Sequence, residues 1–150
     1  MQMIFTDDFP PTLLLLSYFR QLTDQVLEDA AQANGSMTVN QLELIAILGQ
    51  KMTMKEVADA LRMHPSNVTG LVNACAEAGW VERKQSKTDR RTRHLVLTQS
   101  GGELRKHILD FIARRLLETS GITDELAQQF LSRVELYDAA QLEHPATQWA

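Results

Sequence analysis

The chain has 150 residues, 44% of them hydrophobic and 23% charged, with a net charge of −4 and a single cysteine. This composition fits one globular domain, or one domain with an appended helical arm, and the length suffices for a real core. It excludes an internal disulfide and a cysteine-cluster metal site. The longest apolar run, Leu13 to Leu16, is far short of a membrane span, and Asp7 and Asp8 stand where a secretory signal would be basic, so a cytoplasmic protein is expected.

From Phe9 onward, Leu15, Phe19, Leu22, Val26 and Ala30 recur at spacings of four and three, with Arg20, Asp24 and Glu28 on another face. That spacing predicts an amphipathic helix, started by Pro10 and Pro11 and stopped by Gly35. In "TVNQLELIAIL", Thr38 and Gln41 have capping-box spacing, and Leu42, Ile45, Ala46 and Leu48 form an apolar stripe, predicting a second helix. "TMKEVADAL" repeats the device with Thr53 and Glu56 and offers Val57, Ala58 and Leu61 to a core. The fourth helix, in "HPSNVTGLVNACAEAG", has Pro65 suited to its first turn and Gly79 suited to the left-handed position at its end. Val68, Leu71, Val72 and Cys75 fall on one face, and Ser66, Asn67, Thr69 and Asn73 largely on others.

Two short helices joined through Arg62 to His64 match a helix-turn-helix, whose second helix enters the major groove. Short polar side chains let that helix approach base edges. "WVERKQ" and "RHLVLT" then read as a β-hairpin across a basic connection. Between Val81 and His94, six Lys or Arg face two acids, so this segment is +4 and the remainder −8. Local charge decides what a surface attracts, and the segment is read as a wing beside a duplex. Lys84, Lys87, Arg90 and Arg93 would neutralise phosphates, with an arginine at the tip suited to the minor groove. Arg83, in the first wing strand, and Thr53 and Lys55, at the start of the third helix, join the candidate DNA contacts. His64 reads as a turn or cap residue that also reaches phosphate.

Beyond the wing, Thr98 to Glu103 supply cap residues for a long helix through Leu104, Ile108, Phe111 and Ile112 to about Thr119. Thr123, Asp124 and Glu125 open a last helix with Leu126, Phe130, Val134 and Tyr137 on its apolar face. The expected fold is mainly α with a small β-hairpin wing: a winged helix-turn-helix at 36–99, flanked by arm segments at 1–35 and 100–150. The arm's apolar faces exceed what one small domain covers, so a homodimer is expected. Fraying is expected before Phe9 and after His144.

The run "HPSNVTGLVNACAEAGWVERKQSKTDRRTRHLVLTQSG" resembles the recognition helix and wing of the MarR family of bacterial transcriptional regulators. The resemblance rests on Pro65-Ser66, Val68, Thr69, Leu71-Val72, the run Gly79 to Arg83, Asp89-Arg90-Arg91, and Leu97-Thr98-x-x-Gly101. It also covers the order of six helices with the wing between the fourth and fifth. It implies a homodimer that binds double-stranded DNA at an inverted repeat, usually as a repressor, and that often releases it when a small aromatic or phenolic effector binds. By position, Arg90 would enter the minor groove, Asp89 and Arg91 would brace the wing, and Ser66, Asn67 and Thr69 would face the major groove. The chain departs from the family pattern at Gly70, where many members are basic, and at Ser86, where many are acidic. A glycine inside a helix costs about 1 kcal/mol relative to alanine.

Cys75 as a redox sensor is outweighed by its place on the core face, where the family usually carries leucine. Glu103, His107 and Asp110 share a helical face, but an exposed polar face explains them better than a metal site. No cofactor or metal is expected, and Leu16, Tyr18 and Phe19 are read as core before pocket. The sequence lacks HExxH, a phosphate-cradling glycine loop and G-x-S-x-G, so no catalytic role is assigned. The competing reading is a winged-helix protein-interaction module without sequence-specific DNA binding.

Overall fold

The computed structural model describes residues 10–35, 37–85, 93–130 and 132–133. The chain divides into two compact units, Met1–Ile112 and Ala113–Ala150.

In the first unit, helix α1 (Pro11–Ala33) begins with proline in its first turn and stops at Asn34, whose side-chain amide donates to Ala30 O at 2.8 Å. Only its second half packs inward. Leu22, Val26, Ala30 and Ala31 are buried, whereas Leu15 and Phe19, expected on the same stripe, are exposed. Helix α2 (Val39–Ile47) has the full capping box: Thr38 N donates to Gln41 Oε1 at 2.8 Å, and Gln41 N donates to Thr38 Oγ1 at 3.2 Å. It buries Leu42, Leu44, Ile45 and Leu48, with Ala46 half-buried.

A strand that the sequence pattern did not suggest follows, β1 (Met52–Thr53), and leads directly into helix α3 (Met54–Ala60). The second capping box is present too, with Thr53 N donating to Glu56 Oε2 at 2.6 Å. Helix α4 (Pro65–Glu77) packs on α3 and presents Val68, Val72 and Cys75 to the core. Strands β2 (Val81–Gln85) and β3 (Arg93–Leu97) form the hairpin, from Val81 opposite Leu97 to Gln85 opposite Arg93. With β1 they make an antiparallel sheet ordered β1-β3-β2, in which Met52 lies opposite Leu95 and Thr53 opposite His94.

One core joins these elements through Leu42, Leu44, Ile45, Val57, Val68, Val72, Leu95 and Ile108. Each such side chain contributes about 1.5–3 kcal/mol when fully buried. Ile108 belongs to helix α5 (Gln99–Ser120). Its first turn closes on the base of the hairpin. Thr98 N donates to Trp80 O at 3.0 Å, the Thr98 hydroxyl donates to Gly79 O at 2.6 Å, and Thr98 Oγ1 in turn accepts from Gly101 N at 3.1 Å. Ser100 Oγ adds a bond to Gly79 O at 2.9 Å. Gly101 is buried, and a Cβ there would overlap the Trp80 carbonyl oxygen. That overlap is the physical content of the Leu97-Thr98-x-x-Gly101 motif. Further along α5, Arg105 Nε donates to Ala46 O at 2.9 Å, satisfying a carbonyl at the end of α2.

The second unit contains the last turns of α5 and a helical stretch at 124–130, with Leu117, Leu126 and Phe130 exposed. Among the described residues, no helix is long and apolar enough to cross a membrane.

Candidate nucleic-acid interface

The turn leading into α4 is built without glycine. Met63 N donates to Ala58 O at 2.9 Å and Arg62 N to Asp59 O at 3.2 Å, the two bonds of a Schellman ending. Its left-handed position falls on Arg62, with φ +50°. That conformation costs an L-residue about 1–2 kcal/mol. His64 then caps α4: its Nδ1 accepts from Ser66 N at 3.4 Å and lies 2.7 Å from Ser66 Oγ. A ring nitrogen accepts only with its lone pair free, so the cap belongs to the neutral imidazole with its proton on Nε2.

Past the cap, α4 separates its faces. Ser66, Asn67, Thr69, Gly70 and Asn73 are all exposed. Thr69 Oγ1 donates to Pro65 O at 3.3 Å, within the helix. Among the described residues, no atom lies within 4 Å of where a Gly70 Cβ would stand, so their packing does not require glycine there. On the opposite face Cys75 is fully buried, and burial pushes its thiol up to about 11. At neutral pH the thiol is protonated, and its burial fits a packing role.

A side-chain hydrogen bond links the hairpin to the exposed side of α4: Arg83 Nη2 donates to Asn73 Oδ1 at 2.7 Å. On the same strand Lys84 Nζ lies 2.7 Å from Glu82 Oε1, a solvent-exposed pair. Arg93 is exposed at the start of β3. Lys87, Asp89, Arg90 and Arg91, like Ser86, lie outside the described residues. Lys55 is exposed on the first turn of α3. The Thr53 hydroxyl is turned to Glu56, donating to Oε2 at 2.8 Å. The Glu56 carboxyl is held below its usual range by the backbone N–H of Thr53 first, then the Thr53 hydroxyl, with a further contribution from His94.

Of the candidate contacts, His64 and Ser66 are thus joined in one cap, and Asn73 and Arg83 in one hydrogen bond across two elements. Arg62 escaped the sequence reading. The signal available was a turn lacking glycine, with a cation at the position glycine normally fills. Among the described residues, no three His, Cys, Asp or Glu side chains are placed to hold a metal ion. Glu103 instead accepts from Gln99 Nε2 at 3.2 Å.

Comparison with known proteins gives concordant results. The model of the MarR family matches residues 33–92. The transcriptional repressor MprA of Escherichia coli K12 is 26% identical over 110 residues, covering 69% of this chain and 62% of MprA, so the match spans just under two thirds of that relative's length. Among solved structures, CouR from Rhodococcus jostii RHA1 bound to p-coumaroyl-CoA superposes with a TM-score of 0.70 at 20% identity, covering 95% of this chain and 96% of CouR. NadR in complex with 4-hydroxyphenylacetate gives a TM-score of 0.68 at 18% identity, covering 97% of this chain and all of NadR, at 100%. The two structural likenesses establish the winged-helix fold.

Proposed function

We propose that the chain is a member of the MarR family, whose model matches its winged helix-turn-helix at 33–92, and that it is a sequence-specific DNA-binding transcriptional regulator with no catalytic role. The observation that carries this reading is the outward face of α4: Ser66, Asn67, Thr69, Gly70 and Asn73 are exposed, short and uncharged, next to a cationic strand. A helix selected only for solubility carries longer charged side chains. This face suits close approach to base edges.

The finer reading is a homodimeric repressor. A second copy would cover the exposed Leu13, Leu15, Leu16, Tyr18 and Phe19 of α1 and the exposed Leu117, Leu126 and Phe130. Two α4 helices would then enter successive major grooves of an inverted repeat, about 10 bp apart. Winged-helix residues 36–99 read the DNA, and arm segments 1–35 and 100–150 hold the pair together. Arg62, Lys55, Lys84, Lys87 and Arg93 would meet phosphates, Arg90 would enter the minor groove, and Asp89 and Arg91 would brace the wing. CouR and NadR are solved with aromatic ligands, which supports a small aromatic acid or its thioester as the releasing signal.

The test is fluorescence anisotropy of the purified protein on DNA upstream of its own gene, over a salt series, with a scrambled duplex as control. Saturable preference for a palindrome, with affinity falling steeply as salt rises, is expected. Equal weak binding to both duplexes and to a random-sequence pool would turn the reading toward a protein-binding winged helix.

A further inference from the structure

Asn73 and Arg83 come from different elements and meet at the exposed face of α4, where Arg83 Nη2 donates to Asn73 Oδ1 at 2.7 Å. A guanidinium has five N–H donors and no acceptor, so the amide end facing it is necessarily oxygen. The Asn73 nitrogen, with its two N–H donors, therefore points away from β2. Asparagine in a major groove ordinarily reads adenine with both ends, its oxygen accepting from N6 while its nitrogen donates to N7. Here the oxygen is committed to the wing. Its second lone pair lies beside a cation, where the positive N6 amino edge of adenine is repelled.

We propose that Arg83 fixes Asn73 as a donor-only reader, so that the base pair Asn73 meets is selected through acceptors, as guanine in preference to adenine. Guanine presents N7 and O6 side by side in the major groove, both acceptors, matching what Asn73 has left to give. Gly70 lies one turn earlier on the same face, at i−3, and a Cβ there would meet no described atom within 4 Å, the Asn73 amide included, so position 70 does not crowd that edge. Arg83 is thereby a positioning residue for base choice, apart from any charge it contributes. The inference rests on the DNA-reading function proposed above.

The experiment selects duplexes from a randomised library with the full chain, then titrates every single-base variant of the selected site against wild type, Asn73→Ala, Asn73→Asp and Arg83→Met. Wild type is expected to have a guanine in each half-site whose replacement by adenine weakens binding about tenfold to a hundredfold. Asn73→Ala should erase that preference and leave the other positions intact. Asn73→Asp keeps an acceptor for Arg83 but has no donor, so it should erase the preference as well, which bracing alone would not do. Arg83→Met should move the choice at that position from guanine to adenine without lowering the melting temperature.

Retention of the guanine preference by Arg83→Met, with a salt slope smaller by about one, would make Arg83 a phosphate contact and overturn the inference. Retention of the preference by Asn73→Asp would overturn it equally. A library yielding no enriched site for wild type would remove the DNA-reading function itself, and the inference with it.

Discussion

The two ends of the turn-and-helix segment around α4 use one backbone device in opposite ways. Upstream, the Schellman ending of α3 places Arg62 at φ +50°. Downstream, the ending of α4 places Gly79 at φ +78°, with Trp80 N donating to Cys75 O and Gly79 N to Ala76 O, both at 3.0 Å. Glycine takes this conformation freely; arginine does not. The downstream end is then locked further by Thr98, Ser100 and Gly101, whereas the upstream end leaves Arg62, His64 and Ser66 exposed. The difference teaches where this chain concentrates stability and where it tolerates cost. Strain is tolerated next to the face proposed to meet DNA, and order is concentrated where helix and wing join.

The downstream lock gives the largest expected effect. Gly101→Ala should lose about 3 kcal/mol in urea unfolding, because the new methyl meets a backbone oxygen that cannot step aside. At its neighbour Gly102 a Cβ would meet no described atom within 4 Å, so Gly102→Ala should instead gain up to about 1 kcal/mol. Equal behaviour of the two variants would mean that the Trp80 carbonyl is not the constraint. Thr98→Ala should cost about 1–2 kcal/mol as a lost helix cap, and Thr98→Ser should recover most of it. If Thr98→Ser unfolds like the alanine variant, the methyl rather than the hydroxyl holds the joint.

The upstream end should respond with the opposite sign. Arg62→Gly should raise stability by about 1 kcal/mol by relieving the left-handed arginine. It should also weaken DNA binding and reduce the salt slope by about 0.9 if one phosphate contact is lost. A variant that binds DNA as before would leave Arg62 as strain without a use.

The smallest effect concerns pH and lies at the start of α3. Glu56 has its carboxyl held below its ordinary 4.5 in the folded chain. Its contribution is therefore fully present above 4.5 and lost as pH falls through the lower folded value. Gln41 fills the same place in the other capping box and does not titrate. Glu56→Gln should consequently flatten the acid limb of a melting-temperature profile below about pH 4.5. An unchanged acid limb would assign acid sensitivity to other carboxylates.

Much of this architecture is legible in the sequence because it is local. The pairs Thr38 with Gln41 and Thr53 with Glu56 announce two helix starts, Gly79 announces an end, and the alternation after Arg93 announces a strand. The strand at Met52–Thr53 was not legible, since two residues have no period and it exists only by pairing with β3. The apolar spacing of α1 is legible in the sequence, but the exposure of Leu15 and Phe19 at its start is a tertiary fact. Arg62 was hidden because left-handed turns are sought through glycine. The bond between Arg83 and Asn73 spans ten residues and two element types, so no spacing rule contains it.

Gly101 also bears on how such a protein diverges. The residue allowed there is dictated by an oxygen of its own backbone and is indifferent to the DNA outside. Positions 62, 70, 73 and 83 are exposed to solvent. A lineage, or an engineer, can therefore exchange residues on the reading side while the joint between helix and wing stays as it is. Retargeting to a new operator then becomes a walk over surface positions that leaves the fold's foundations in place.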